Sequence, residues 1–108
     1  MPTSRTVTGK AFDYSGSLAE GLTVTHASGH ATRIRAATIG FVMAEIERRS
    51  PVLMGPNRQP LVRDSLGELV RTELGQSPQI LSCVIPLLTE TGFCRVTKSG
   101  RNYVVHRR

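Results

Sequence analysis

The sequence predicts an α+β fold, mainly α, with three helices followed by a C-terminal β-hairpin. Two kinds of observation point there. Three stretches carry apolar residues at helical spacing, each bracketed by residues that start or stop helices. After the last stop, residues 93–106 alternate apolar and polar about Lys98-Ser99-Gly100. A chain of 108 residues holds one domain. Residues 32–108 are expected to form it, with residues 1–31 as an N-terminal arm that is flexible or a weak hairpin.

The arm is rich in Thr, Ser, Gly and Ala. Its only alternating runs are Arg5–Thr8 and Leu22–Thr25, on either side of a turn signal at Tyr14–Ser17. The first helix is expected over Thr32–Arg49, where Ile39, Val42, Met43 and Ile46 form one stripe. Ser50-Pro51 ends it, because the residue before proline avoids the helical region. Val52–Pro60 reads as a loop, with Leu61–Arg63 as a very short strand. Ser65 and Glu68 make a capping box that opens the second helix. Leu66, Leu69, Val70 and Leu74 form its buried face, and Gly75 stops it. Ser77-Pro78 opens the third helix, with Ile80, Leu81, Val84, Leu87 and Leu88 as its stripe and Gly92 as its stop. Pro86 falls inside that stripe and predicts a kink or break near Ser82–Pro86. In the hairpin, Phe93, Val96, Tyr103 and Val105 are the inward candidates.

Charge is unevenly spread. Arg95, Lys98, Arg101, Arg107 and Arg108 stand in the last 14 residues without an acid, while residues 1–94 hold nine basic and eight acidic side chains. Of the net charge of +6, five therefore belong to the hairpin, which suits a polyanionic partner. Cys83 and Cys94 are the only cysteines and read as small buried hydrophobes in a reducing compartment. With no apolar segment long enough to span a bilayer, a cytoplasmic protein without membrane contact is expected, nucleoid-associated if it binds DNA. His26 and His30 lie four apart, but Gly29 between them opposes a helical metal pair, so no metal is expected. No paired carboxylates, nucleophile with its base or phosphate-cradling Gly loop stands out. Neither an enzyme nor a cofactor is expected.

The order of helix, tight turn, helix, Gly stop and basic hairpin resembles the winged helix-turn-helix superfamily of small prokaryotic, phage and plasmid regulators. The resemblance covers residues 32–108. It is carried by Ser65-Leu66-Gly67-Glu68-Leu69-Val70, by Gly75-Gln76-Ser77-Pro78, by Leu87–Phe93, and by the hairpin with Gly100 and Tyr103. The segment before the hairpin is similar to regulators of the arsenic-sensor and multiple-antibiotic-resistance types. The resemblance implies a DNA-binding transcriptional regulator, its third helix in the major groove of double-stranded DNA and its wing on phosphates. It nominates Ser77, Gln79, Ser82 and Cys83 as base readers, Gln79 foremost because its amide can pair bidentately with adenine. It assigns Arg95, Lys98, Arg101 and Arg107 to phosphates, helped by Ser99 and the Gly100 amide. A homodimer is implied, with the first helix and the arm supplying the contact. One feature departs from the pattern: no Lys or Arg lies between Ser77 and Gly92. That leaves open a second reading, a winged-helix module that binds a protein partner in a transcription or replication assembly.

Overall fold

The computed structural model describes residues 3–7, 9–26, 28–55, 65–99 and 102–108, and of Ser99 the backbone alone. Residues 3–34 form a four-stranded antiparallel meander rather than an arm. Its strands are β1 (Thr3–Arg5), β2 (Ala11–Ser17), β3 (Gly21–His26) and β4 (Ala31–Ile34), paired in chain order. Phe12, Leu22, Val24 and Ile34 alternate with polar residues and point to one face, where all four are buried. Pairing of Val24 with Thr32 and of Leu22 with Ile34 draws residues 32–34 into the sheet. The first helix consequently begins at Ala36, later than its apolar stripe suggests.

That helix, α1 (Ala36–Arg49), buries Ile39, Val42 and Ile46. Glu45 lies near its end and is buried as well, its carboxylate held by Arg48 at 2.7 Å. Arg49 Nε lies 2.9 Å from the same carboxylate, an ion pair without the angle of a hydrogen bond. A two-residue strand, β5 (Val52–Leu53), follows where a loop was expected. Residues 56–64, including the short strand expected at Leu61–Arg63, lie outside the described residues.

Helix α2 (Leu66–Leu74) starts at Ser65, whose hydroxyl accepts from the Glu68 amide at 3.3 Å. It stops at Gly75, which takes φ 65° and returns its amide to the Arg71 carbonyl. A 3-10 turn at Pro78–Ile80 leads into α3 (Leu81–Glu90), which runs through Pro86 without a break. The hairpin is β6 (Cys94–Ser99) and β7 (Asn102–Arg107), with Val96 opposite Val105. Its other partner is β5, giving a second sheet in the order β5-β7-β6.

The mainly α, winged-helix fold expected from the sequence is therefore overturned. A four-stranded sheet precedes the helices, and helix and strand take nearly equal shares of the described residues. The meander is also no appendage. Its four buried side chains belong to one hydrophobic core with Ile39, Val42, Ile46, Leu66, Val70, Val84, Leu88 and Val105. No described helix is long and apolar enough to cross a membrane.

Candidate functional site

The sequence-nominated base readers cluster at the start of α3 but differ in access. Ser77 caps the 3-10 turn, its hydroxyl accepting from the Gln79 amide at 3.2 Å, and both residues are exposed. Among the described residues the Gln79 side chain has no hydrogen-bond partner. Ser82 is half-buried and doubly used: its hydroxyl donates to the Gln79 carbonyl at 2.7 Å, and its own carbonyl accepts from the Val7 amide at 3.3 Å. Cys83 is buried in the core and cannot reach a base edge. Burial pushes its thiol up, with the Ser82 hydroxyl as a smaller opposing influence.

The Val7–Ser82 bond has a counterpart at the far end of α3, where the Ser4 hydroxyl donates to the Glu90 carboxylate. The segment Ser4–Val7 is thus tied along α3 from its first turn to its last. Ser82, Pro86 and Thr89, on the outer side of α3, are half-buried as a result. A sequence reading could not find this contact, because the partners stand 86 residues apart at Ser4–Glu90.

The hairpin cations fall on different surfaces. Side chains alternate along a strand, so Cys94, Val96 and Lys98 share one face of β6 while Arg95 and Thr97 share the other. Arg95 is exposed opposite His106, whose Nε2 lies 2.9 Å from the Thr97 hydroxyl. Lys98 is exposed near the tip, its ammonium 5.7 Å from the centroid of the Tyr103 ring. Arg107 sits at the base, its guanidinium 4.2 Å from the Phe93 centroid and donating to the Phe93 and Arg108 carbonyls at 2.9 Å. The Arg107 amide also donates to the Ser50 hydroxyl at 2.8 Å, fastening β7 to the end of α1. The Ser99 side chain and all of Arg101 lie outside the described residues. Lys98 thus stands near the tip, while Arg95, Arg107 and Arg108 gather toward the base, about 13 Å along the strand from Ser99.

Among the described residues Arg95, Lys98, Arg107 and Arg108 make no ion pair, so these hairpin cations are not neutralised by a carboxylate. Aromatic rings hold Lys98 and Arg107 in place without cancelling their charge. Cys94, buried beside them, has its thiol pushed up by burial, against weaker opposing effects from Thr89, Arg107 and Arg108.

Two concave surfaces meet at Thr6, Val7 and Tyr103. A groove of 600 Å³ runs between Ser4–Val7, α3 and the hairpin. A cleft of 990 Å³ opens between the meander, Met54–Gly55 and the start of α3, its described lining carrying Lys10, His26 and His30 and no acid. The rings of His26 and His30 stack with centroids 6.0 Å apart. No group of three His, Cys, Asp or Glu side chains gathers as a metal site among the described residues. Comparisons with protein-family models, curated proteins and solved structures find no match for this chain.

Proposed function

We propose that this chain binds double-stranded DNA, gripping the phosphate backbone with the β6–β7 hairpin. The observation that supports the reading is the uncompensated charge of residues 95–108: five cations in sequence and no carboxylate. The four that are described have no ion-pair partner. Arg95, Arg107 and Arg108 meet phosphates from the base and Lys98 from near the tip, and Arg101 adds a further cation to the same segment of sequence. Ser77 and Gln79, exposed on the 3-10 turn, are the polar side chains left to reach base edges. Because Ser4–Val7 lies over α3, the contact is made by the hairpin and this turn rather than by α3 along its length.

A transcriptional regulator acting in the cytoplasm, on the nucleoid, is the setting such binding fits. A homodimer would double the phosphate contacts. Its contact would have to come from surfaces other than the α1 stripe, since Ile39, Val42 and Ile46 are consumed in the protomer's own core.

The test is a salt series. Anisotropy of a labelled random-sequence duplex is followed against the wild type and the triple variant Arg95→Ala, Lys98→Ala, Arg101→Ala. Log affinity falls against log salt with a slope of about −0.9 for each phosphate neutralised. The variant should show a shallower slope, by up to that amount for each cation removed. Equal slopes for the two proteins, or no binding by the wild type in low salt, would sink the proposal.

A second reading, an interaction module for a protein partner, is favoured by one feature: the groove between Ser4–Val7 and the hairpin.

A further inference from the structure

We propose that the groove beside α3 receives an extended acidic peptide from a protein partner, added as a strand between β1 and β6. Both strands end their sheets. β1 is the outer strand of the order β1-β2-β3-β4, and β6 the outer strand of β5-β7-β6. Each therefore has one edge without a strand partner among the described residues, and such an edge displays a row of amides and carbonyls ready for pairing.

The groove's lining shows where those edges point. One wall is Ser4–Val7 and the other is Val96–Lys98, while β2 contributes nothing and β7 only Tyr103. One wall is thus the end of β1 (Ser4 and Arg5) with Thr6 and Val7 beyond it, the other is the edge strand β6, and α3 lines the groove between them. A strand laid between them bonds to both sides and joins the sheets into one, in the order β4-β3-β2-β1-peptide-β6-β7-β5. The site is held open beforehand. Val7 and Ser4 tie one wall to the two ends of α3, and six register pairs with β7 brace the other. Little ordering remains to be done on binding.

The side chains select the partner. Pro86, Val96 and Tyr103, each half-buried, offer apolar contacts to the inward residues of the added strand. Arg5 and Lys98 stand on opposite walls, both exposed and neither in an ion pair. Arg5 spends one guanidinium nitrogen on the Gly9 carbonyl, and Lys98 rests against Tyr103. Glu90, the only acid on the described lining, already accepts from Ser4 at one end. Two free cations above an apolar floor fit a peptide that alternates Asp or Glu with Val, Ile or Leu. The site shares Lys98 with the phosphate contact proposed above, but Arg95 is absent from its lining and Arg5 from that contact, so these two residues tell the sites apart.

The full chain is panned against a phage-displayed library of random heptapeptides. The enriched peptide is then synthesised and titrated into isotope-labelled protein. The expected consensus alternates acidic and apolar residues. Amide shifts should concentrate at Ser4, Arg5, Val96, Thr97 and Lys98, and Arg5→Glu should weaken binding by about tenfold or more, a loss of about 1.4 kcal/mol. Arg95→Ala should leave peptide affinity unchanged while it flattens the DNA salt slope, and Arg5→Glu should leave that slope as it was. Retained thermal unfolding of Arg5→Glu certifies its fold. No enrichment, a basic consensus, or shifts away from both walls would overturn the proposal. So would displacement of the peptide by oligothymidylate, which would make the groove a nucleic-acid track.

Discussion

Replacing Leu22 by Ala tests whether the meander and the helices are one cooperative unit. Leu22 is only 3 % exposed, sits on β3 opposite Ile34, and belongs to the same core as Val84 and Leu88 of α3. Leu-to-Ala changes at such sites cost about 2–5 kcal/mol, from lost transfer energy plus the cavity left behind. A domain of this size holds about 5–15 kcal/mol in total, so the change consumes a large fraction of it. It should lower the melting temperature by roughly 10–30 °C. The assay is urea unfolding followed by far-ultraviolet circular dichroism, which reads chiefly the helices, together with hydrogen exchange of the α3 amides. If residues 3–34 share the core, a substitution in β3 shifts the helical transition by the full amount, and α3 exchanges faster by the matching factor. A helical midpoint unchanged to within about 0.5 kcal/mol would mean that the meander unfolds on its own, and the one-core account would fail.

Gly55 has φ +83°, and a Cβ there would meet the Ser65 hydroxyl oxygen at 2.5 Å and its Cβ at 2.9 Å. Gly55→Ala should therefore destabilise by about 2–4 kcal/mol through left-handed strain and crowding of the α2 cap, as read from denaturant midpoints, and a cost below about 1 kcal/mol would refute it. Burial raises both thiols above their ordinary value of 9.0, so the folded chain retains protons that the unfolded chain releases. Their contribution to stability is complete below pH 9 and is lost as the pH climbs through the raised values. Urea midpoints should fall more steeply above pH 9 for the wild type than for Cys83→Ala/Cys94→Ala, and parallel curves would contradict that sign.

Elements with a local cause were legible in the sequence. Ser65 caps α2, Gly75 ends it and Ser77-Pro78 starts the turn before α3, each through contacts within a few residues. The meander was not legible, because each of its strands carries at most two buried apolar residues among Thr, Ser and Gly. Strands this weakly patterned become stable through partners and a shared core rather than through their own propensity. The same pairing moved the start of α1 by consuming Thr32–Ile34. At the candidate site, exposure of Ser77 and Gln79 follows from their place in a capping turn. Separation of Arg95 from Lys98 follows from the two-residue period of a strand. Occlusion of α3 does not follow from either, since it depends on a strand whose existence the sequence barely signals.

Pro86 ties these observations together. A proline inside a helix has no amide to offer the carbonyl four residues earlier, which here is that of Ser82. Left alone, that carbonyl would be an unsatisfied acceptor in a half-buried position, and a bend toward water would be the ordinary relief. In this chain the helix runs unbroken from Leu81 to Glu90, and the Ser82 carbonyl takes the Val7 amide instead. The residue that looks like a fault in α3 is thus the reason the meander can fasten to it at that point. The bond fixes one end of Ser4–Val7 beside α3, Ser4–Glu90 fixes the other, and together they make the first wall of the groove. A helix meant to lie bare in a DNA groove has no use for such an acceptor. The proposed groove takes this same side of α3 as its floor, with Pro86 in its lining.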